Sequence, residues 1–387
     1  MVKKFRILPE KFNGLRTAFF LYNDGGTFDT HLRETYQKIP LQSSEMSNSQ
    51  PQLLIDEQDR YFSTGERTPF VSVVIPAFNV AKYIAETLAS VFAQTFKDFE
   101  VIVINDGSPD TEELERVLRP YLDRITYIKQ PNRGPSSARN AGIRRARACF
   151  IALLDADDLW LPEYLSQQLS AFQREPALDL VYADALLYGD GTRDGKSFMD
   201  VFPSAGSVTL EALLEQRCVV ITSCVVARRQ ALLDAGLFDE RYYRSEDFDL
   251  WVRLAHRGAK LAYQRRVLAQ HRVRGDSLAA DRTRMHRSAI EVYENLTRKL
   301  ELTPLQHRLI ETQITKYQAA LTLADGKSAL AAGDHEQAAR LLGRARDLQR
   351  NTGQSDLKLR FVLSCLNVAP RALQRVYQLR ERLAPSS

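Results

Sequence analysis

The order of apolar and amphipathic segments between residues 70 and 154 constrains the fold more than any other feature. Apolar runs rich in β-branched residues predict buried strands, and the amphipathic stretches between them predict helices. The predicted strands are 71–76, 99–104, 125–128 and a run that ends at Leu154. Strands that alternate with helices are typical of a parallel sheet. We therefore predict an α/β fold with a mostly parallel sheet and helices on both faces.

Polar residues follow three of these predicted strands, at the point where each one ends. They are Asn79, Asp106 and an acidic tetrad at residues 155–158, which reads Asp-Ala-Asp-Asp. Because sites in open sheets lie at the carboxyl ends of the strands, we expect these residues to share one rim. Three carboxylates at one point favour a hard divalent cation, and all-oxygen ligation suits Mg²⁺ or Mn²⁺. The alternative is an acidic turn that caps a helix beginning near Leu159.

Composition and charge exclude several classes of protein. The 387 residues carry 53 basic and 48 acidic side chains, an excess too small for a nucleic-acid-binding protein. No run approaches the roughly 18 to 20 apolar residues of a membrane-spanning helix, and the basic N-terminus lacks the apolar core of a secretory signal. The four cysteines form no CxxC pair, which favours reduced thiols in a cytoplasmic protein.

The chain divides into three predicted parts. Residues 1–67 have the composition of an N-terminal extension or linker, 68–285 form the sheet domain, and 286–387 form a helical module. Within that module, residues 320–348 have the spacing of one tetratricopeptide-like helix pair, which we expect to pack on its neighbours. Residues 369–383 predict a basic amphipathic helix. Contact with a membrane surface and docking on its own domain remain alternatives for this helix.

Five sequence blocks occur in an order and at a spacing that resemble the family 2 glycosyltransferases, which have the GT-A (Rossmann-like) fold. The blocks are residues 71–79, 103–108, 132–142, 154–158 and 246–251. The resemblance extends from residue 70 to about residue 280. It implies that one sugar moves from a nucleotide-sugar donor to a hydroxyl acceptor with inversion of configuration.

The same resemblance implies roles for individual residues. Asp157 or Asp158 would touch the metal, Asp155 would face the sugar or ribose of the donor, and Asp247, preceded by Glu246, would be the general base. Asp106 would accept a hydrogen bond from the base of the donor; a carboxylate accepts the ring N–H of uracil, which favours a UDP-sugar. The remaining donor-side candidates are Pro76, Ala77, Phe78, Asn79, Gly134, Arg139, Asn140, Ala156 and Arg274.

Three of these assignments have structural alternatives. Asn105-Asp106-Gly107 has the composition of a turn, and Glu246-Asp247 has that of a capped helix start. Arg139 can pair with a phosphate or with an acidic neighbour.

The segment 270–278 departs from the pattern of the family. Many relatives have a histidine here that contacts the metal or a phosphate; aligned on Ser277-Leu278, this chain has Arg274 at that position and His271 three residues earlier. Either His271 reaches the metal from a shifted register, or Arg274 stabilises the diphosphate. A guanidinium matches phosphate oxygens in fork geometry, which favours Arg274.

The Gln-x-x-Arg-Trp pattern of processive synthases is absent from the sequence. We therefore expect addition of a single sugar, with a cell-surface glycan or a lipid-linked saccharide as acceptor. A nucleotidyltransferase on a related fold is a second hypothesis, although no lysine-bearing Gly-rich loop follows the first strand. A third is an inactive scaffold that acts through its helical tail, against which the intact Asp106, Asp157, Asp158 and Asp247 argue.

Overall fold

The structure, a computed structural model, describes residues 68–189 and 194–383. The predicted extension at 1–67 lies outside these residues. The strands are β1 Val71–Ala77, β2 Phe99–Asp106, β3 Thr126–Gln130, β4 Phe150–Leu153, β5 Leu159–Trp160, β6 Leu180–Gly189, β7 Val225–Arg228 and β8 Leu261–Val273. The helices are α1 Ile84–Phe92, α2 Thr111–Leu118, α3 Pro135–Arg145, α4 Tyr164–Arg174, α5 Phe198–Val201, α6 Leu210–Leu214, α7 Arg229–Asp234, α8 Glu246–His256, α9 Arg282–Lys299, α10 Pro304–Ala332, α11 His335–Asn351, α12 Leu357–Val368 and α13 Pro370–Leu383.

The eight described strands form one mixed sheet in the order β3-β2-β1-β4-β7-β6-β8-β5. The pairs β1–β2, β1–β4, β2–β3 and β6–β8 are parallel. Strand β7 runs antiparallel to both of its neighbours, and β5 runs antiparallel to β8. The α/β fold is confirmed, and its parallel arrangement is interrupted at β7 and at the β5 edge.

Strand β1 lies in the interior of the sheet, between β2 and β4, and apolar side chains cover both of its faces. Val73 and Ile75 belong to the apolar cluster on one face of the sheet, whereas Val74 belongs to the cluster on the other. Successive side chains of a strand point to opposite faces, so a strand buried on both sides reads as a continuous apolar run. This is why residues 71–76 could be recognised as a strand from the sequence alone.

Helix α3 approaches the sheet closely enough to bring its polar side chains under the rim. A Cβ atom on Gly142 would lie 2.4 Å from Val74 Cγ1, so only glycine fits against β1 at this point. The helix begins with Pro135 at its first turn, directly after Gly134 in a left-handed conformation with φ 87°. The close approach accounts for the burial of a helix with so few apolar residues.

The C-terminal helices have two apolar environments. Val292, Leu296 and Ile310, on α9 and the start of α10, pack in the same cluster as one face of the sheet. A separate cluster joins α10 to α13 and contains Leu330, Ala338, Leu342, Ala345, Leu359 and Leu366. Apolar packing is thus continuous across the domain boundary placed at 285, and that boundary stays a prediction. In the described part of the chain, every helix is too short or too polar to cross a bilayer.

Candidate active site

The loops after β1 and β2 form one side of the predicted rim. Asn79 has a left-handed backbone with φ 54°, and its N–H donates to Ser108 Oγ at 2.7 Å, which joins the two loops. Phe78 is 42% exposed and is available to a ligand. Pro76 and Ala77, in contrast, lie within β1, and the Ala77 side chain is fully buried. Ala77 can therefore approach a ligand only through its backbone, and the contact of residues 76–78 with the base of the donor stays a prediction.

Asp106, at the end of β2, holds the loop before α3. Its Oδ1 accepts hydrogen bonds from Gln130 Nε2 at 2.7 Å and from the Arg133 N–H at 3.0 Å. Its Oδ2 accepts from the Gly134 N–H at 2.8 Å. A carboxylate has about four acceptor sites, so one remains for a ligand. Asp106 is buried and fixes the position of α3; its contact with a nucleobase stays a prediction.

Arg139 of α3 is buried between two carboxylates. Its Nη2 donates to Asp155 Oδ1 and its Nη1 donates to Glu246 Oε1, both at 2.7 Å. Burial alone lowers the pKa of a guanidinium, but the two carboxylates more than offset this and raise the pKa of Arg139 above its ordinary value. Arg139 thus pairs with acidic neighbours, one of its two alternatives, and its contact with a donor phosphate stays a prediction.

Asn140, the next residue of α3, forms hydrogen bonds with other parts of the protein through its side-chain amide. Its amide donates to the Phe238 carbonyl at 2.8 Å and to Glu240 Oε1 at 3.0 Å, and its Oδ1 accepts from the Phe238 N–H at 2.9 Å. These bonds fasten the loop that precedes α8. Both ends of the Asn140 amide are thus engaged within the protein, and its role in donor binding stays a prediction.

The two acidic residues at the start of α8 have different environments. Glu246 is buried against Arg139; burial raises its pKa to about 7, although Arg139 opposes the increase. Asp247 is partly exposed, and its Oδ2 accepts a hydrogen bond from Thr222 Oγ1 at 2.8 Å. Ser245, just before them, has a left-handed backbone with φ 57°, which sets the direction in which α8 begins. Of the pair, Asp247 is the carboxylate that a ligand can reach.

The acidic tetrad lies between β4 and β5, and β5 brings it to the last strand of the sheet. Leu159 and Trp160 pair with residues 270 and 269 of β8, which places the following residues beside the tetrad. Asp158 is 1% exposed, and its Oδ1 accepts from the Arg272 N–H at 2.7 Å. Its Oδ2 lies 2.8 Å from His271 Nδ1. The tetrad is thus fixed to β8, rather than capping a helix.

Charges in and around the tetrad perturb one another. Burial raises the pKa of Asp157 to about 7, and the neighbouring Asp158 and Asp155 act in the same direction. Burial acts to lower the pKa of His271, but Asp158 and the other carboxylates raise it to about 9. Burial acts to raise the pKa of Asp155, but Arg139 brings it below the ordinary value. At Asp157, the neighbouring cationic side chains do not fully balance the negative charge of the tetrad.

The donor atoms of the tetrad fit a particular kind of metal site. Across residues 68–189 and 194–383, no three His, Cys, Asp or Glu side chains converge into a ready cation cage. Both oxygens of Asp158 are engaged by β8 and Nδ1 of His271 is engaged by Asp158, and metal ligation by either residue stays a prediction. The Asp157 carboxylate has one loose ion pair, at 3.3 Å to Arg274 Nη1. One carboxylate, completed by phosphate oxygens and water, is a donor set that Mg²⁺ accepts.

Arg274 has unsatisfied donors beside Asp157. The side chain is 12% exposed; its Nε lies 3.1 Å from Asp276 and its Nη1 lies 3.3 Å from Asp157. Neither nitrogen forms a hydrogen bond in the described structure, although both are buried. Its guanidinium carbon lies 5.0 Å from the centre of the Tyr83 ring. Buried N–H groups without acceptors are costly, so this guanidinium is prepared for an anionic ligand.

Two further candidates have mainly backbone roles. Ala156 is buried, and its carbonyl accepts a hydrogen bond from Thr87 Oγ1 at 2.9 Å, so its side chain does not face the rim. Gly134 has no room for a side chain, because a Cβ atom there would lie 3.0 Å from the ring of Tyr243.

Sequence reasoning missed two residues that shape this site. Thr222 holds Asp247, yet it precedes a short strand and belongs to no motif. Arg272 lies 4.6 Å from the ring centres of both Tyr83 and Tyr188, and it donates to Glu86 Oε2 at 2.8 Å. The only sequence signal for Arg272 is its position next to His271.

Comparisons with known proteins agree with this architecture. The model of glycosyl transferase family 2 matches residues 72–235. The uncharacterized glycosyltransferase RP339 of Rickettsia prowazekii is 30% identical over 242 residues, 59% of this chain and 70% of the relative. The amylovoran biosynthesis glycosyltransferase AmsB of Erwinia amylovora is 32% identical over 212 residues, 52% of this chain and 68% of the relative. A match in Rickettsia bellii covers only 30% of that relative, so the chain spans varying shares of the proteins it resembles.

Solved structures show the same fold. TarS 1–349 of S. aureus in complex with UDP-GlcNAc has a TM-score of 0.53 and 19% identity, with 81% of this chain and 91% of that chain covered. The mannosyltransferase PcManGT from Pyrobaculum calidifontis, in complex with GDP-Man and Mn²⁺, has a TM-score of 0.52 and 21% identity, with 81% and 88% covered. These likenesses confirm the predicted GT-A fold with its helical C-terminal region. The family model matches the sheet domain, and relatives at least 30% identical are covered over more than two thirds of their length. Together with the shared fold, these matches show that the chain belongs to glycosyltransferase family 2.

Proposed function

We propose that this protein is an inverting, metal-dependent glycosyltransferase. It transfers one sugar from a nucleotide sugar, most simply a UDP-sugar, to a hydroxyl group of a saccharide or lipid-linked acceptor. One observation carries the proposal. Glu246, next to the candidate base Asp247, and Asp155 of the acidic tetrad are held by the two ends of the same buried guanidinium, Arg139. The base and the tetrad therefore occupy a single site.

Asp247 serves as the general base in this proposal. It takes the proton of the acceptor hydroxyl while that oxygen bonds to the anomeric carbon of the donor sugar. The bond from the anomeric carbon to the diphosphate breaks, and the nucleoside diphosphate leaves from the opposite face. Thr222 holds Oδ2 of the base, and base catalysis of this kind contributes about 10² to 10⁴-fold. Glu246 is buried and positions Arg139.

In this proposal Asp157 and Arg274 bind the diphosphate of the donor, the first through a metal ion and the second directly. Asp157 would hold Mg²⁺ or Mn²⁺, which supplies Lewis-acid neutralisation of the departing phosphate charge. The unsatisfied N–H groups of Arg274 donate charge-assisted hydrogen bonds to the same oxygens. The Mn²⁺ named for the PcManGT complex supports a divalent cation in this site.

The donor base and the acceptor are assigned from weaker observations. Phe78, on the loop after β1, offers an exposed ring, and Asp106, at the end of the neighbouring β2, has one acceptor site remaining for a uracil N–H. The UDP-GlcNAc complex of TarS supports a uridine nucleotide. AmsB is named for amylovoran biosynthesis, which supports a polysaccharide or its lipid-linked precursor as acceptor, met on the cytoplasmic side of a membrane.

Thermal unfolding in the presence of nucleotides tests the donor class. We would measure the melting temperature with UDP, GDP, dTDP and CMP, each with and without Mn²⁺. A ligand at about a hundred times its dissociation constant adds roughly 2.7 kcal/mol to the free energy of unfolding, which raises the melting temperature by a few degrees. We expect the largest increase for UDP with Mn²⁺. If no nucleotide raises the melting temperature, the proposed activity is wrong; if CMP has the largest effect, the assignment of Asp106 is wrong.

A matched pair of variants makes the test specific to the site. Arg274→Met should abolish most of the UDP-dependent increase because it removes the donors aimed at the diphosphate. Arg266→Met, on β8, which ends just before Arg274, and with an exposed side chain that bonds Gln167 Oε1, should retain the full increase. Equal responses of the two variants would remove Arg274 from the donor site.

A further inference from the structure

Helix α12 has an apolar face that its own protein leaves exposed. Leu357, Phe361 and Val368 are 68%, 71% and 86% exposed. At 3.6 residues per turn these three side chains lie within about 40° of one another around the helix axis. They therefore form one apolar stripe, which we call the α12 face.

Helix α12 is well packed on its other side, so the exposure of the α12 face does not result from poor packing. Leu359 and Leu366, on the opposite side of α12, are buried in the cluster that joins α10 to α13. The helix thus already has a complete inward face, and the α12 face is additional apolar surface. Single exposed leucines are ordinary on proteins, but an aligned stripe of large apolar side chains marks a surface that binds something.

Helix α13 also exposes large apolar side chains. The apolar residues predicted for the last helix divide between two sides: Leu373 and Tyr377 pack on the cluster between α10 and α13, whereas Val376 and Leu379 are 62% and 59% exposed. One side of this helix thus docks on its own protein, and the other side is exposed. Together α12 and α13 expose five large apolar side chains.

The charge around these residues has a single sign. Lys358 and Arg360 flank the α12 face on its two sides, and Arg371 and Arg375 are exposed on α13. Residues 357–379 contain no aspartate or glutamate, although basic and acidic residues are nearly balanced over the whole chain. An apolar stripe bordered by basic side chains is complementary to a surface with an apolar interior and anionic headgroups.

We propose that the exposed faces of α12 and α13 bind the surface of an anionic lipid bilayer. Phe361, Leu357 and Val368 enter the boundary between headgroups and acyl chains, and the exposed Arg360, Arg371 and Arg375 contact lipid phosphates. A second copy of the chain is a poorer occupant, because a symmetric contact would bring the basic side chains of both copies together. The proposal goes beyond the glycosyl-transfer reaction and does not depend on it.

Sedimentation with vesicles tests the proposal on the full-length protein without any nucleotide. We would compare vesicles of phosphatidylcholine alone with vesicles containing 30% phosphatidylglycerol, a probe composition of about one anionic lipid in three. Binding to the anionic vesicles and little binding to the neutral ones is expected. Removing one basic residue with Arg375→Gln should weaken binding about five-fold, the equivalent of about 1 kcal/mol per basic residue near the surface.

Apolar contact is tested by Phe361→Ser, which should weaken binding to anionic vesicles about ten-fold because the ring no longer leaves water. Leu305→Ser and Arg308→Gln are the matched controls: both residues are exposed on α10, away from the α12 face, and their replacement should leave binding unchanged. An unchanged melting temperature verifies that each variant is folded.

Several results would overturn the proposal. They are a wild-type protein that does not bind anionic vesicles, controls that lose binding as much as Phe361→Ser, and a single-stranded oligonucleotide that binds the same face more tightly than the vesicles. Conversion of a dimer into a monomer by Phe361→Ser, seen by sedimentation velocity in the absence of lipid, would assign the face to a second copy. Because none of these measurements uses sugar transfer, they separate this proposal from the catalytic one.

Discussion

Replacement of Arg139 by methionine tests the central feature of the site, the guanidinium shared by Asp155 and Glu246. Methionine keeps much of the apolar volume of the arginine stem and removes its charge. Because Arg139 is buried and donates to both carboxylates at 2.7 Å, the variant leaves two carboxylates without their cation. Removing one partner of a buried ion pair typically costs about 3–5 kcal/mol of unfolding free energy. We expect a loss in that range at pH 8.

The loss should depend on pH in a direction set by Glu246. Burial raises the pKa of Glu246 in the folded chain to about 7, above its value in the unfolded chain. A group of this kind contributes its full stability below the unfolded pKa and loses it as the pH rises through the folded pKa. Removal of Arg139, which acts to lower this pKa, moves the loss to higher pH and enlarges it. At pH 5 Glu246 is protonated in both proteins, so we expect the destabilisation to fall by about half.

Urea unfolding followed by tryptophan fluorescence is a suitable assay, since Trp160 and Trp251 are the only tryptophans and both are buried. The midpoint should decrease with little change in slope. Arg144→Met is the control on the same helix. Its guanidinium is exposed and lies 3.7 Å from Glu240, so its loss should change stability by less than about 0.5 kcal/mol.

A double variant separates charge from packing. Adding Glu246→Gln to Arg139→Met removes one of the two uncompensated carboxylates and should restore a measurable part of the lost stability at pH 8. The reasoning is refuted if Arg139→Met costs less than about 1 kcal/mol, if its cost is the same at pH 5 and pH 8, or if Glu246→Gln restores nothing.

Two further predictions concern the base and the packing of α3. Asp247→Asn should lower turnover at least about a hundredfold and leave the affinity for the nucleotide donor nearly unchanged, measured by steady-state kinetics and donor titration; a near-normal rate would remove Asp247 from its role. Gly142→Ala should cost about 1–3 kcal/mol in urea unfolding, because the new methyl group meets Val74 Cγ1 at 2.4 Å. Gly343→Ala, in open space on α11, should instead stabilise the protein by about 0.5–1 kcal/mol, and equal effects of the two would contradict the close packing of α3.

Strands β1, β2 and β4 could be predicted from the sequence because most of their residues are buried on both faces of the sheet. The predicted strand 71–76 corresponds to β1 Val71–Ala77, and the predicted strand 99–104 lies within β2 Phe99–Asp106. Continuous apolar runs give an unambiguous signal in such strands. The rule that sites lie at the carboxyl ends of strands then predicts the positions of Asn79, Asp106 and the tetrad, which lie at or just beyond the ends of β1, β2 and β4.

The second half of the sheet could not be predicted in the same way. Strand β5 has two residues, too few for any periodic pattern, and it is defined by its pairing with β8 more than a hundred residues later. A helix that begins near Leu159 was a reasonable alternative from local sequence, whereas α4 begins at Tyr164. Pairing with a distant strand decided between them.

The roles of Arg139 and Asn140 were ambiguous for a related reason. Their types permit contact with phosphate or with protein, and the choice depends on partners that the local sequence does not contain. Asn140 bonds Phe238 and Glu240, and Arg139 bonds Glu246. The motifs singled out the candidate carboxylates as a group, whose catalytic role stays a prediction; they could not show which polar side chains hold that group together.

The length of the loops closed by these contacts has a consequence for biosynthesis. Arg139 and Glu246 are 107 positions apart, and Asp158 and His271 are 113 positions apart. As the nascent polypeptide leaves the ribosome, the tetrad and α3 emerge well before the segments that neutralise them. Glu246 and His271 also lie beyond residue 235, where the family match ends. Arg139 and Asp155, only 16 positions apart, can pair early in synthesis, whereas Glu246 and His271 reach their partners only after α8 and β8 have been synthesised.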